Sequence, residues 1–309
     1  YAVGILTTES PDHATPAAFY AHVPKRGEYK KIMEQIPDSK FDIVMGYGMR
    51  GDKEPAASDF LKKAGMNVIC KEESEFFSLK TLEKPTAVYF TFGYEADRAD
   101  SKVRPLSSYV EKSIGLLEKA GSKGFFMMVE GAKIDHNGHA NDGPGMLLEL
   151  IEFDRAIGKA LEFYKKHPQN TLIVVTADHN TGGLIVSGNV PKSYVDVSGS
   201  ISRSFGLTEN DTTESAEKKI SAKGFSLTAV EKDALVRAVG RLEGNKKAQA
   251  LNHTARRIID TKYGISWPTI GHTNEDVYLF AIGKGADAFG MRQENSELGM
   301  KMKSLYEGK

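Results

Sequence analysis

The feature that most constrains this chain is the alternation of short apolar segments with helical patterns. Most of the apolar segments run continuously rather than alternating with polar residues, which is typical of strands buried on both faces. Strands are predicted at Ala2–Leu6, Asp42–Met45, Asn67–Ile69, Ala87–Phe92, Phe125–Val129, Leu172–Thr176 and Val277–Ile282. Strands that alternate with helices favour an α/β fold, in which helices flank a mostly parallel sheet.

The clearest helical pattern runs from about Met146 to Lys166, where apolar residues recur at helical spacing. A shorter helix is predicted over Pro16–Val23, with Thr15 as its N-cap and Pro16 at the first helical position. The other helices are predicted at Ala56–Ala64, Ser107–Ala120, Ala229–Leu242 and Lys247–Tyr263.

Residues 191–267 break this alternation. The stretch opens with a polar, Ser-rich segment and continues with the last two predicted helices, and the strand pattern resumes only at Val277. We therefore predict an α/β core over residues 1–190 and 268–309, with residues 191–267 as a variable helical insertion before the last strand.

Composition excludes several classes of protein. Lys and Arg together number 41, as do Asp and Glu, so the formal net charge is zero and nothing global favours nucleic acid or an anionic membrane as a partner. The single cysteine, Cys70, excludes an intrachain disulfide. No apolar run approaches the roughly 20 residues of a membrane span.

Metal-ligand residue types are concentrated in one segment that follows a predicted strand. Glu130 stands at the strand end, and Asp135, His136 and His139 come soon after it. Asp135 and His139 are four positions apart, so a tight turn or one helical turn could direct both toward one ion, and carboxylate with imidazole is a zinc-type pair. The alternative is a polar loop in which the histidines have no common function.

Two further segments carry the same residue types. Asp178 and His179 follow the most apolar strand, and Gly182 and Gly183 supply the turn that both side chains need in order to serve one site. His272 precedes the last strand and, taken alone, is an ordinary loop histidine. Together with Asp135 and His139 it would complete a three-ligand zinc site with an open position.

A segment near the first strand adds candidates for a hard cation and for phosphate. The Thr15 hydroxyl could cap a helix or ligate magnesium, which prefers oxygen donors. The guanidinium of Arg26 could be solvated or could bind phosphate through two parallel hydrogen bonds.

These segments resemble a known family. VEGAKIDHNGH, VTADHNTGG and GHT, in that order, resemble the metal-ligand motifs of alkaline phosphatases, and TTESPDHATPAAFYAHVPKRGEY resembles the stretch holding that family's magnesium and phosphate ligands. The resemblance covers residues 1 to about 190 and again from His272 to the last strand. It implies an alkaline phosphatase-like fold and metal-dependent hydrolysis of phosphate monoesters, with two zinc ions, one magnesium ion and a phosphoserine intermediate.

The resemblance also implies a role for each matched residue. It assigns Asp135, His139 and His272 to the first zinc ion, Asp178 and His179 to the second, and Glu130 and Thr15 to magnesium. Arg26 would clamp two phosphate oxygens, His136 would lie near the phosphate, and His13 would stand beside the magnesium ligands.

The nucleophile of the family is missing from this sequence. It is a serine in an Asp-Ser-Ala segment upstream of the matched part, and the chain contains no Asp-Ser-Ala. Asp38-Ser39 and Asp100-Ser101 are each followed by lysine and stand in the wrong order. We therefore expect the chain to correspond to the C-terminal two-thirds of an alkaline phosphatase, with the second zinc site and the magnesium site each short of a ligand. It is expected to hydrolyse phosphate monoesters poorly or not at all.

Two other interpretations remain open at this stage. One is a phosphodiesterase, sulfatase or cofactor-independent phosphoglycerate mutase of the same superfamily, although Arg26 together with Glu130 and Thr15 favours a monoesterase. The other is a metal-binding domain without catalytic activity. The resemblance alone implies small phosphate monoesters and inorganic phosphate as ligands, a periplasmic or extracellular location, and a homodimer.

Overall fold

The computed structural model describes residues 1–90, 104–191, 194, 205–240 and 242–307, and the chain forms two compact units. The N-terminal unit comprises Tyr1–Ile134 and Glu149–Ala160. The C-terminal unit comprises Asp135–Leu148 and Leu161–Lys309. The end of the predicted strand Ala87–Phe92, the pair Asp100-Ser101 and most of the Ser-rich segment lie outside the described residues.

A five-stranded parallel sheet organises the N-terminal unit, in the order β3-β4-β2-β1-β5. Its strands are β1 (Ala2–Thr7), β2 (Ile43–Gly46), β3 (Asn67–Ile69), β4 (Thr86–Tyr89) and β5 (Phe125–Glu130). The central strand β1 lies between β2 and β5, and the register from Ala2 opposite Phe125 to Thr7 opposite Glu130 places Glu130 at the carboxyl end of the sheet. The prediction of parallel strands is thus confirmed for this unit.

Helices cover this sheet. They are α1 (Ala14–Ala17), α2 (Tyr29–Met33), α3 (Ala56–Lys63), α4 (Glu73–Ser78) and α5 (Leu106–Ala120), with a 3₁₀ helix at Pro37–Ser39. Helix α5 buries Leu106, Tyr109, Val110 and Leu117 on one face, as the helical spacing predicts. It approaches β1 so closely that a Cβ at Gly4 would lie 2.7 Å from a methyl carbon of Leu117.

The helix predicted over Pro16–Val23 differs in the structure. Helix α1 begins at Ala14, with His13 as N-cap and no capping hydrogen bond from a side chain, so the predicted cap at Thr15 is wrong. Pro16 fits inside the first turn because the N–H groups there have no partner within the helix, and a missing N–H costs nothing. Turn structure follows as far as Tyr20.

A buried charge cluster lies beyond the carboxyl ends of β1, β2 and β5. Glu9 is fully buried and accepts a hydrogen bond from Arg50 Nε at 3.0 Å. Its other oxygen pairs with Lys133 Nζ at 3.2 Å, and Lys133 is also buried. Pairing of opposite charges offsets part of the cost of burying them. We name Glu9, Arg50 and Lys133 the Glu9 cluster.

Two helices contain residues of both units. Helix α6 (Ala132–His139) begins in the N-terminal unit and ends in the C-terminal unit, and residues of α7 (Gly143–Lys166) belong to both. Helix α7 starts slightly before the predicted Met146, because Asp142 caps it by accepting a hydrogen bond from the Gly145 N–H at 3.0 Å.

The C-terminal unit contains short antiparallel pairs of strands. They are β6 (Leu172–Thr176) with β11 (Leu279–Gly283), β7 (Asn180–Thr181) with β10 (His272–Thr273), and β8 (Ile185–Val186) with β9 (Ile265–Ser266). The predicted strands Leu172–Thr176 and Val277–Ile282 therefore form, but they pair in the antiparallel sense. A 3₁₀ helix at Ala286–Phe289 and helix α11 (Asn295–Glu307) follow β11.

Three helices of this unit share a hydrophobic core. They are α8 (Thr213–Ser221), α9 (Ala229–Val239) and α10 (Gly244–Lys262). Their buried residues are Phe205, Leu207, Ala216, Ile220, Leu235, Leu251, Ala255, Ile258 and Ile259. Helix α9 ends before the predicted Leu242, because Gly240 follows it with φ 46°. The boundaries of the insertion at residues 191–267 stay a prediction. Among the described helices, none has the length and apolarity needed to cross a membrane.

A buried polar network surrounds Asp260 near the end of α10. This fully buried carboxylate accepts hydrogen bonds from the Tyr194 hydroxyl at 2.6 Å and from the Trp267 indole N–H at 2.5 Å. Burial, reinforced by the charge of Asp142, raises the pKa of Asp260 to about 6, although the hydrogen bonds that the carboxylate accepts oppose this shift.

Asp260 should make the stability of the chain depend on pH. Because its pKa is higher in the folded chain than the ordinary 3.8, its favourable contribution is complete below about pH 4 and is lost as the pH rises through 6. We expect the free energy of unfolding of the wild type to fall by about 2–3 kcal/mol relative to Asp260→Asn between pH 4 and pH 7. Urea unfolding followed by the fluorescence of Trp267, the only tryptophan, measures this difference. Parallel pH profiles would contradict it.

Candidate metal centre

Helix α6 carries the first pair of predicted ligands. Asp135 and His139 lie one helical turn apart on the same face of α6, and Asp135 Oδ1 is 3.4 Å from His139 Nε2. Both side chains are partly exposed. His136 follows Asp135 on the same helix. The one-turn arrangement that the spacing allowed is therefore the one adopted.

The second pair follows β6, where the chain turns toward β7. Asp178 and His179 occupy the two positions before β7, and Asp178 Oδ2 lies 3.2 Å from His179 Nε2. The turn after β7 uses Gly182 and Gly183, with φ of 78° and 61°. Such values favour glycine because it has no Cβ. The two glycines thus have the role in the turn that the sequence predicted.

Pairing of two short strands brings the third segment to the other two. His272 in β10 lies opposite Thr181 in β7. The ring of His272 consequently stacks on that of His179, with 3.6 Å between ring centroids, and lies 5.1 Å from the ring of His139. One donor atom each from Asp135, His179 and His272 lie within 4.8 Å of one another. Three donors predicted for two different zinc ions therefore form one cluster, which we name the zinc-type cluster: Asp135, His179 and His272.

Thr181 contributes to this cluster although no sequence pattern marks it as a candidate. Its hydroxyl donates a hydrogen bond to Asp135 Oδ1 at 2.6 Å and lies 3.1 Å from His179 Nδ1. A single hydroxyl therefore holds two of the predicted ligands in place. A threonine beside a glycine pair carries no distinctive pattern, and only the pairing of β7 with β10 gives it this position.

The hydrogen bonds of two histidines use Nδ1 and leave Nε2 directed at the predicted carboxylate ligands. His139 Nδ1 is 2.6 Å from the Ile270 carbonyl, which only accepts, so Nδ1 carries the proton. The Thr181 hydroxyl gives its one proton to Asp135, so it accepts from His179 Nδ1. A metal-ligating histidine commonly donates a hydrogen bond from one ring nitrogen to such a partner and binds the metal through the other nitrogen.

The zinc-type cluster fits a divalent cation. His139 Nε2 lies 3.4 Å from Asp135 Oδ1, and His179 Nε2 lies 3.2 Å from Asp178 Oδ2, so an imidazole nitrogen and a carboxylate oxygen stand side by side at two places. Imidazole nitrogen with carboxylate oxygen is a ligand set that zinc prefers.

The remaining predicted residues lie in the N-terminal unit. Glu130, at the end of β5, accepts a hydrogen bond from the Thr7 hydroxyl at 2.5 Å, and the same Thr7 oxygen accepts the Glu9 N–H at 3.0 Å. Arg26 is exposed, and its Nη2 lies 3.3 Å from His13 Nε2, which accepts the hydrogen bond. Sequence reasoning missed Thr7, which orients the Glu130 carboxylate.

Comparison with known proteins identifies the family. The alkaline phosphatase family model matches residues 90–307, so the chain belongs to the alkaline phosphatase family, a family of phosphatase hydrolases. Alkaline phosphatase 4 of Bacillus subtilis is 29% identical over 331 residues, which cover 99% of this chain and 68% of the relative. The chain spans about two thirds of the length of the curated relatives that it matches from end to end.

Solved structures give the same result. The crystal structure of the cold-active alkaline phosphatase from the psychrophile Shewanella sp. is 30% identical, with a TM-score of 0.80, and the match covers 98% of this chain and 75% of that one. A variant of the alkaline phosphatase from the Antarctic bacterium TAB5, described with Mg bound in its M3 site, is 26% identical with a TM-score of 0.65. That match covers 97% of this chain and 70% of the TAB5 chain.

Proposed function

We propose that this chain supplies the metal-binding and phosphate-binding residues of an enzyme that hydrolyses phosphate monoesters. The observation that carries the proposal is the convergence of Asp135, His179 and His272 in the zinc-type cluster, with His139 and Asp178 beside them. Family membership supplies the reaction class, and the donor set supplies the chemistry that this class requires.

The proposal includes the predicted role of each ligand. Asp135, His139 and His272 would hold one zinc ion, Asp178 and His179 a second, and Glu130 and Thr15 a magnesium ion. When bound, such ions provide Lewis acidity and lower the pKa of a coordinated hydroxyl. The chain's own part is orientation: Thr181 fixes Asp135 and His179, and Thr7 fixes the Glu130 carboxylate.

Binding of the phosphate group is proposed for Arg26. A guanidinium offers two parallel N–H donors to two phosphate oxygens, and this pairing is stronger than that between neutral groups. His13 and His136 are proposed to act beside the magnesium ligands and near the phosphate, respectively. The proposed ligands are small phosphate monoesters and inorganic phosphate, and a periplasmic or extracellular homodimer is proposed on family grounds alone.

Binding of phosphate, rather than turnover, tests this function, since the chain contains no Asp-Ser-Ala. Isothermal titration calorimetry should detect binding of inorganic phosphate to the 309-residue chain loaded with zinc and magnesium. Arg26→Ala should weaken that binding about tenfold, because a charge-assisted pair of hydrogen bonds is lost.

Lys25→Ala is the matched control, because it removes one exposed positive charge next to Arg26. Its affinity for phosphate should stay near that of the wild type. Absence of phosphate binding, or tighter binding of sulfate than of phosphate, would contradict the proposed monoesterase. An equal loss of phosphate affinity in both variants would show that Arg26 has no specific role in binding the phosphate group.

A further inference from the structure

The last two turns of α10 contact the segment that follows His139. Arg256 Nη1 donates a hydrogen bond to the Ala140 carbonyl at 3.0 Å. One turn later, Asp260 accepts the backbone N–H of Gly143, at the start of α7. Helix α10 thus holds the connection between α6 and α7 at two points, immediately after a predicted zinc ligand.

The same carboxylate holds Trp267, which packs against the β7 turn. Trp267 is only 3% exposed, and a Cβ at Gly182 would lie 2.6 Å from its ring. The Gly182 N–H donates to the Gly271 carbonyl at 2.8 Å, one residue before His272. Because Gly182 follows Thr181, the position of the indole constrains the residue that contacts both Asp135 and His179.

The side chains around Asp260 are tightly packed. A Cβ at Gly143 would lie 1.8 Å from the Tyr194 hydroxyl oxygen, which itself donates to Asp260. Close packing of this kind transmits a displacement rather than absorbing it. A change in the Asp260 hydrogen bonds would therefore move Trp267 and the turn against which it packs.

We propose that Asp260 is a positioning residue for the zinc-type cluster: its hydrogen bond to Trp267 holds the indole against Gly182, which follows Thr181 and bonds to the residue before His272. The inference rests on the proposed metal centre and names a residue that contacts none of the ligands. A carboxylate suits this position because each of its oxygens accepts one of the two hydrogen bonds, whereas an amide has a single acceptor oxygen and would have to give an N–H group to one of the two partners.

Zinc affinity measured by competition with a chromophoric chelator tests the proposal without using enzymatic activity. Asp260→Asn should weaken zinc binding about tenfold, the lower end of the range for partners that orient metal ligands. Trp267→Phe, which keeps a ring but removes the N–H, should weaken it several-fold. The double variant should bind zinc no more weakly than the weaker single variant, because both changes break one shared contact.

Ile259→Ala is the control for a purely structural effect. It removes a buried side chain from the neighbouring position of α10, in the core shared by α8, α9 and α10, and leaves the Asp260 contacts intact. Its zinc affinity should match that of the wild type. If Asp260→Asn does not fold, the zinc affinities of Trp267→Phe and Ile259→Ala are compared instead, and the proposal requires a loss in Trp267→Phe alone.

Three results would overturn the proposal. Equal zinc affinity in the wild type, Asp260→Asn and Trp267→Phe would show that Asp260 does not position the metal ligands, and it would leave the proposed function in place. A loss of zinc affinity in Ile259→Ala as large as that in Asp260→Asn would have the same meaning. A wild type that binds no zinc would overturn the metal centre and, with it, this inference.

Discussion

His272→Ala should lower the zinc affinity of the chain by more than about 100-fold. Substitution of residues that merely orient metal ligands costs 10–100-fold, so loss of one of three donors that lie within 4.8 Å of one another should cost more. The variant also removes the ring that stacks on His179. Metal content after dialysis, determined by elemental analysis, and a chelator competition titration measure the effect.

His22→Ala is the matched control, since it removes an exposed histidine that belongs to none of the predicted sites. We expect its zinc content to equal that of the wild type. A His272→Ala protein that retains zinc with unchanged affinity would show that the ion is held elsewhere. Unfolding curves of both variants establish whether a difference in affinity reflects the ligand or the fold.

The second large effect is expected in the N-terminal unit, where Glu9→Gln should destabilise the fold by about 3–5 kcal/mol. The substitution leaves the Lys133 ammonium, whose side chain is 4% exposed, and the Arg50 guanidinium beside a neutral amide. When one partner of a buried ion pair is neutralised, the desolvation free energy of the remaining charge is no longer offset by attraction to its partner. Such a loss is a large fraction of the 5–15 kcal/mol that typically holds a domain together.

Urea unfolding monitored by far-UV circular dichroism measures this loss, and Glu28→Gln supplies the comparison. Glu28 pairs with Lys31 at the surface, where such a pair contributes at most about 1 kcal/mol. In addition, Glu9→Gln combined with Lys133→Met should be less destabilised than Glu9→Gln alone, because the double variant no longer buries an ammonium beside a neutral amide. A double variant at least as unstable as the single one would contradict this account of the Glu9 cluster.

The sequence predicted the elements whose signal is local. Strands β3 and β6 occur where their apolar runs place them, and α5 and α7 follow the helical spacing of their buried residues. The error at α1 has an equally local cause, since Pro16 is compatible with more than one position in a first helical turn. The direction in which β11 pairs with β6 was not predicted, because an apolar run carries no information about its partner.

The candidate site was predictable to the extent that its residues have distinctive chemistry. Asp135, His139, Asp178 and His179 are prominent because metal-ligand types follow apolar strands. Thr181 and Asp260 could not be selected in this way, because their contacts join segments far apart in the sequence. The role of a buried aspartate on an amphipathic helix can be inferred only once the groups that donate hydrogen bonds to it are known.

The donors of the zinc-type cluster come from three stretches of chain with long intervening segments. An ion bound by all three would act as a crosslink that exists only while the chain is folded, and tight binding to the folded state alone adds free energy to it. A cell that runs short of zinc would then lose the protein itself to proteolysis, since the unfolded fraction grows as the ion is withdrawn.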